Sequence, residues 1–102
     1  MIHCVVRIIA LGQLRDFWKK HPQAELLLRA WHAEACRADW KSSADIKLAY
    51  RKASFLSNNR VVFNIKGNDY RLVVAVHCNR GMMFIRFVGT HSDFDRIDAS
   101  TI

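Results

Sequence analysis

Residues 60–77 constrain the fold of this chain more than any other stretch. Two apolar, β-branched runs, Val61 to Ile65 and Leu72 to Val76, flank the polar segment Lys66-Gly67-Asn68-Asp69. Alternating strands around a glycine-containing turn predict a β-hairpin. A third run, Met82 to Val88, predicts another strand and leads into Gly89-Thr90-His91. Because side chains alternate along a strand, Val61, Phe63 and Ile65 share one face, and Arg60, Val62, Asn64 and Lys66 share the other. On the second strand Leu72, Val74 and Val76 oppose Arg71, Val73, Ala75 and His77. On the third, strict alternation sets Ile85 and Phe87 against Phe84, Arg86 and Val88. If helices cover the Phe63, Leu72, Val74 and Phe87 side, then Arg60, Asn64, Lys66, Arg71 and Arg86 converge on an open face.

The rest of the chain supplies those helices. The β-branched residues between Ile2 and Ile9 predict a first strand, ended by Gly12. Leu14, Phe17 and Trp18 lie at i, i+3 and i+4, one apolar face of a short helix. Pro22 suits the first turn of a second helix, and Glu25 complements the positive end of its dipole. Ala24, Leu27, Leu28, Trp31 and Ala35 continue a helical stripe that reads as packing, to an end near Trp40 or Lys41. Lys41 to Asn59 has no clear period and reads either as a connector with a helical turn or as an extended lead into the hairpin. A short C-terminal helix over 92–98 takes Ser92 as N-cap, with Asp93 and Asp95 near its positive end. The order β-α-α-(irregular)-β-β-β-α predicts an α+β fold, with two N-terminal helices on one face of a small, mainly antiparallel sheet. A chain of 102 residues fits a single domain spanning 1–102.

Charge narrows the partners. Sixteen Lys and Arg against nine Asp and Glu give a formal charge of +7, which favours a polyanion. Between Ile46 and Thr90 stand eight basic residues (Lys47, Arg51, Lys52, Arg60, Lys66, Arg71, Arg80 and Arg86) and one acid, Asp69, whereas the first 45 residues are nearly balanced. The positive charge therefore belongs to the middle of the chain and the sheet. Cys4, Cys36 and Cys78 form an odd set without close spacing, which predicts buried free thiols in a reducing, cytoplasmic setting. The adjacent pairs His3-Cys4 and His77-Cys78 lack the tight spacing of a zinc site, so no metal or other cofactor is expected. The apolar run from Cys4 to Leu11 is interrupted by Arg7 and too short to span a bilayer, which predicts no membrane association.

A basic sheet ending in a histidine has the parts for cutting a phosphodiester. Arginine's planar fork binds two phosphate oxygens at once. RNA cleavage without metal needs a base for the 2′-hydroxyl proton, an acid for the 5′-leaving oxygen, and cations for the charge that builds on phosphorus. His91 is the candidate for a proton-transfer role, imidazole being the side chain suited to that work near neutrality. Arg71 and a second cation would stabilise the phosphorane. The same face also suits a non-catalytic RNA- or ribosome-binding module. A DNA-binding repressor is disfavoured, since no helix has the pattern of a base-reading recognition helix.

The segment from Arg60 to Val76, together with Phe84 to His91 and Asp95-Arg96-Ile97-Asp98, resembles the HigB family of toxins, within the RelE-like superfamily. The similarity is specific over about 58–102; Phe17-Trp18 and the helix start Pro22-Gln23-Ala24 also fit. It implies a RelE-like α+β domain acting as the toxin of a type II toxin–antitoxin pair, a ribosome-dependent endoribonuclease that cleaves mRNA and inhibits translation. It also implies a HigA-like helix-turn-helix antitoxin as partner, with operator DNA bound only through the toxin–antitoxin complex. Tyr70-Arg71-Leu72 matches the triplet whose arginine contacts the scissile phosphate in RelE-like toxins. His91 falls where those toxins carry a further catalytic basic residue. Arg60 and Lys66 lie in the region that contacts mRNA, and Asn64 and Arg86 share the basic face. Similar sequences carry a tyrosine in a His-x-x-Tyr pattern, and this chain has Phe94, whose ring stacks on a base but moves no proton.

Overall fold

The computed structural model describes residues 6–38, 40–67, 69–77 and 80–102. Its elements are β1 (Arg7–Ile9), α1 (Gly12–Lys20), a 3-10 turn (Pro22–Ala24), α2 (Glu25–Arg37), α3 (Ser43–Ala49), β2 (Ser54–Leu56), β3 (Arg60–Ile65), β4 (Tyr70–His77), β5 (Met82–Thr90) and α4 (His91–Phe94). The five strands make one sheet in the order β1-β5-β4-β3-β2. β1 runs parallel to β5, and the other neighbours are antiparallel. This is the α+β arrangement expected from the element order.

The hairpin forms as its alternation dictates. β3 and β4 pair from Arg60 opposite Ala75 to Ile65 opposite Tyr70. The turn needs left-handed backbone at Lys66 (φ 54°) and Gly67 (φ 65°), and glycine adopts that region without a Cβ penalty. Val61, Phe63, Ile65, Leu72, Val74 and Val76 turn to the helical side, where they meet Leu14 of α1, Leu28, Trp31 and Ala35 of α2, and Ile46 of α3. Trp31 packs edge-on to Phe63, with ring centroids 5.4 Å apart.

Several expectations need correction. β5 carries a bulge opposite Val73 and Val74: Val73 pairs with Phe87 but Val74 pairs with Ile85, leaving Arg86 as the extra residue. The alternation therefore inverts across Arg86. Ile85 and Val88 join the helical side, while Phe87 lies on the opposite face with Val62 and Val73. Leu27 is 42% exposed and falls outside the core stripe. α2 ends at Arg37, because Ala38 is already extended (ψ 133°). The irregular region contains both a helix, α3, and an edge strand, β2. α4 is a single turn capped by Thr90, whose hydroxyl accepts from the Asp93 N–H at 3.2 Å, in place of Ser92. Cys36 is disulfide-bonded where a free thiol was expected, and its partner lies outside the described residues. Also outside them are Ile2 to Val5 of the first strand, and His3, Cys4 and Cys78 of the weighed metal pairs. No described helix is long and apolar enough to cross a membrane.

The face opposite the helices is not fully open. Phe94, Ile97, Ala99 and Ile102 pack against Val62, Val73 and Phe87 as a second, smaller core. Arg60 fastens this segment: its Nε and Nη2 donate to the Ile102 oxygen at 3.0 and 2.6 Å, and its Nη1 donates to the Asn58 carbonyl at 2.8 Å. Asn58 Nδ2 adds a bond to the Ser100 carbonyl at 2.9 Å. The basic face is therefore left accessible mainly at its edges and at the hairpin-turn end.

Candidate functional site

At that end, register does most of the positioning. Arg71 sits between Asn64 on β3 and Gly89 on β5, all three on the face away from the helices. Thr90 pairs with Tyr70, so β5 runs out beside the turn and hands its next residue, His91, to α4. The His91 N–H donates to the Asp69 carbonyl at 3.1 Å, which ties the start of α4 to the hairpin turn. His91 is thus the first residue beyond the pairing that sets Gly89 opposite Arg71 and Thr90 opposite Tyr70.

The surrounding groups set orientation and charge. His91 Nε2 lies 3.6 Å from Asp95 Oδ1, one helical turn on, so a carboxylate faces the imidazole. Lys66 Nζ lies 3.8 Å from Asp69 Oδ2 at the turn. The Arg71 guanidinium sits 5.9 Å from the centre of the Phe94 ring, and its Nη1 donates to the Tyr70 carbonyl at 3.4 Å. Phe94 rests in turn on Phe87, centroids 6.5 Å apart. Gly89 makes this stack possible: a Cβ there would stand 2.5 Å from Phe87 Cζ and 3.3 Å from Asp93 Cβ.

Asn64, Lys66, Arg71, His91 and Phe94 are therefore gathered at one end of the sheet. Arg60 and Arg86 are not. Arg60 pairs with Ala75, four register positions from Asn64, and its guanidinium is spent on the C-terminal segment. Arg86, exposed at the bulge, lies 5.7 Å from the Phe84 ring.

Sequence reasoning did not single out Asp69 and Asp95, which position His91, or Gly89 and Phe87, which support Phe94. The Gly89-Thr90-His91 run was in view, but a glycine required by close approach gives no signal without the fold. Arg51 and Lys52 were counted among the basic residues and given no place. Both are exposed beside a cleft of about 340 Å³ that Asn64 and Gly67 also line. Tyr50, on the wall of that cleft, donates to Glu34, and burial followed by this bond raises its pKa above the usual phenol range. It therefore stays protonated near neutrality. A larger cleft, about 450 Å³, lies elsewhere, between the start of α3 and the Arg60–His77 end of the sheet.

Among the described residues no group of three or more His, Cys, Asp or Glu side chains is arranged to hold a metal. The chain matched none of the curated proteins with which it was compared. Residues 24–97, which include the hairpin, β5, His91 and Phe94, match the HigB_toxin family, the RelE-like toxic component of a toxin-antitoxin system. The α+β sheet is consistent with that fold, and the chain belongs to the HigB toxin family, which makes it the toxin of a toxin–antitoxin pair with an antitoxin as partner.

Proposed function

We propose that this toxin is a ribosome-dependent, metal-independent endoribonuclease that cleaves mRNA and so inhibits translation. One observation carries the reading: Arg71 and His91 come from separate segments to the same accessible, hairpin-turn end of a basic sheet. Arg71 holds the scissile phosphate and neutralises the charge that builds on it in the transition state. His91 transfers a proton, its backbone N–H bonded to the Asp69 carbonyl and its ring facing the Asp95 carboxylate. The 2′-hydroxyl proton passes to a base as its oxygen attacks phosphorus, and an acid protonates the 5′-oxygen as its bond to phosphorus breaks. His91 serves in one of these transfers and solvent water in the other. Lys66 and Asn64 contact the neighbouring backbone, and the Phe94 ring stacks on a base. Arg60 and Arg86 add positive field beyond this group. The antitoxin is a HigA-like helix-turn-helix protein, operator DNA is bound only through the complex, and the pair works in the cytoplasm.

Growth after induction of the chain alone tests this. Arrest by the wild type, with growth restored by Arg71→Ala and by His91→Ala at equal protein level, is the expected outcome. Primer extension should show new mRNA ends only with the wild type, and cleavage should drop by about 100-fold or more on loss of either group. Full toxicity in both variants would remove them from the mechanism. A non-catalytic ribosome-binding module is the second reading. It is favoured by Phe94: with no phenol hydroxyl there, His91 is the one imidazole among the described residues gathered at this end of the face, where two transfers are needed. That reading gives salt-sensitive ribosome association with no new ends.

A further inference from the structure

β2 is too short to cover β3. It pairs Ser54, Phe55 and Leu56 with Val62, Val61 and Arg60, so β3 from Phe63 to Ile65 has no strand partner on that side. The chain reaches this uncovered edge through Arg51 and Lys52, in the turn between α3 and β2. There it leaves the cleft of about 340 Å³ lined by Tyr50, Arg51, Lys52, Asn64 and Gly67. That volume lies within the range of ~300–1,000 Å³ typical of small-ligand pockets.

The cleft continues the row that holds Arg71. From the sheet edge inward the order is Arg51 and Lys52 on the cleft wall, then Asn64 on β3, which lines the same cleft, then Arg71, its register partner on β4, one strand spacing of ~4.8 Å further in. Arg51 and Lys52 are exposed, and neither forms a hydrogen bond or ion pair among the described residues. Lys47, close by, differs: its Nζ donates to the Ala53 carbonyl at 2.7 Å and lies near the Phe55 ring. Two adjacent uncommitted cations on the rim of a nucleotide-sized cleft suit a phosphate and its sugar. Asn64, between them and Arg71, offers both a donor and an acceptor to a base or ribose.

We propose that this cleft is a single-stranded RNA subsite, in which Arg51 and Lys52 hold the backbone phosphate next to the one bound by Arg71, and Asn64 contacts the nucleotide between. The proposal rests on the RNA-cleaving reading above and deepens it: the strand crosses the sheet edge-inward, from Arg51 and Lys52 toward Arg71 and His91.

Binding of a short single-stranded RNA oligonucleotide, followed by fluorescence anisotropy across a salt series, tests it. The measurement uses a His91→Ala background to keep the RNA whole. Replacing both cations (Arg51→Gln with Lys52→Gln) should weaken binding and flatten the slope of log affinity against log salt by ~0.7 for each phosphate that is no longer neutralised. Lys19→Gln, which removes an exposed cation of α1, should leave the slope unchanged. An unchanged slope in the double variant, or an equal flattening by Lys19→Gln, would overturn the subsite. With His91 intact, the double variant should raise KM for cleavage of ribosome-bound mRNA and leave kcat near wild type. A wild type that cuts no ribosome-bound mRNA yet shows the expected slopes would overturn the cleavage reading alone.

Discussion

A short relay of contacts aims the arginine. Gly89 gives room for the Phe87 ring, Phe87 supports Phe94, and Phe94 lies against the Arg71 guanidinium. Because the glycine's neighbour is a ring carbon 2.5 Å from a would-be methyl, Gly89→Ala must displace the Phe87 ring on which Phe94 rests. Overpacking of this kind costs about 1–3 kcal/mol. Urea unfolding of Gly89→Ala should show that loss, together with cleavage well below wild type. Wild-type stability would mean that Phe87 turns aside freely. Phe94 separates two roles. Phe94→Ala removes a cation–π contact worth about 0.5–1 kcal/mol at exposed sites and should lower cleavage, as read by primer extension. Phe94→Tyr keeps the ring and adds a hydroxyl able to donate a hydrogen bond, so cleavage should equal or exceed wild type. Activity below Phe94→Ala would exclude the ring's support of Arg71 as its main contribution.

Whole strands and turns show why some of this was legible and some not. β3, β4 and α2 declare themselves because each has a sustained period, and the faces of β3 and β4 follow from it. β5 has the same composition, yet one extra residue at Arg86 moves Phe87 to the opposite face, and a bulge leaves no mark in an alternation of large apolar residues. β2 is three residues long, too short for a period, although Asn58 and Asn59 (φ 62° and 60°) carry the sequence signal of a tight hairpin turn. Family likeness pairs Arg71 with His91, a pairing for the mutants to test, whereas Arg60 was grouped with Arg71 on one open face because charge alone does not reveal a backbone partner. The structure gives Arg60 to the Ile102 and Asn58 oxygens. Arg60→Ala should therefore loosen the C-terminal segment from Val62 and Val73, costing about 1–3 kcal/mol in urea unfolding. Its slope of RNA affinity against salt should stay near wild type while that of Arg71→Ala flattens. The reverse pattern would place Arg60 on the RNA.

At the scale of the molecule, the chain's formal charge of +7 is carried by a body in which the sheet is clamped between a thick helical layer and a thin C-terminal cover. Added protons raise the self-repulsion of such a body, so acid weighs on its stability before the carboxylates titrate. His32 of α2 is one place where this acts. It lines a cleft with Leu11, Leu14, Arg15, Trp18 and Arg29, and burial, then the Arg15 charge, lowers its pKa from the usual 6.5. A histidine with a lowered folded-state pKa binds fewer protons folded than unfolded. Its contribution to stability is therefore complete above pH 6.5 and is lost as pH falls through the lowered value. The urea midpoint of the wild type should fall between about pH 7 and pH 5, above the range in which carboxylates ordinarily titrate, near ~4. His32→Gln, which keeps polarity and cannot take the proton, should flatten that part of the profile and leave the midpoint at pH 8 little changed. Parallel profiles for the two proteins would show that the acid sensitivity arises elsewhere in the chain.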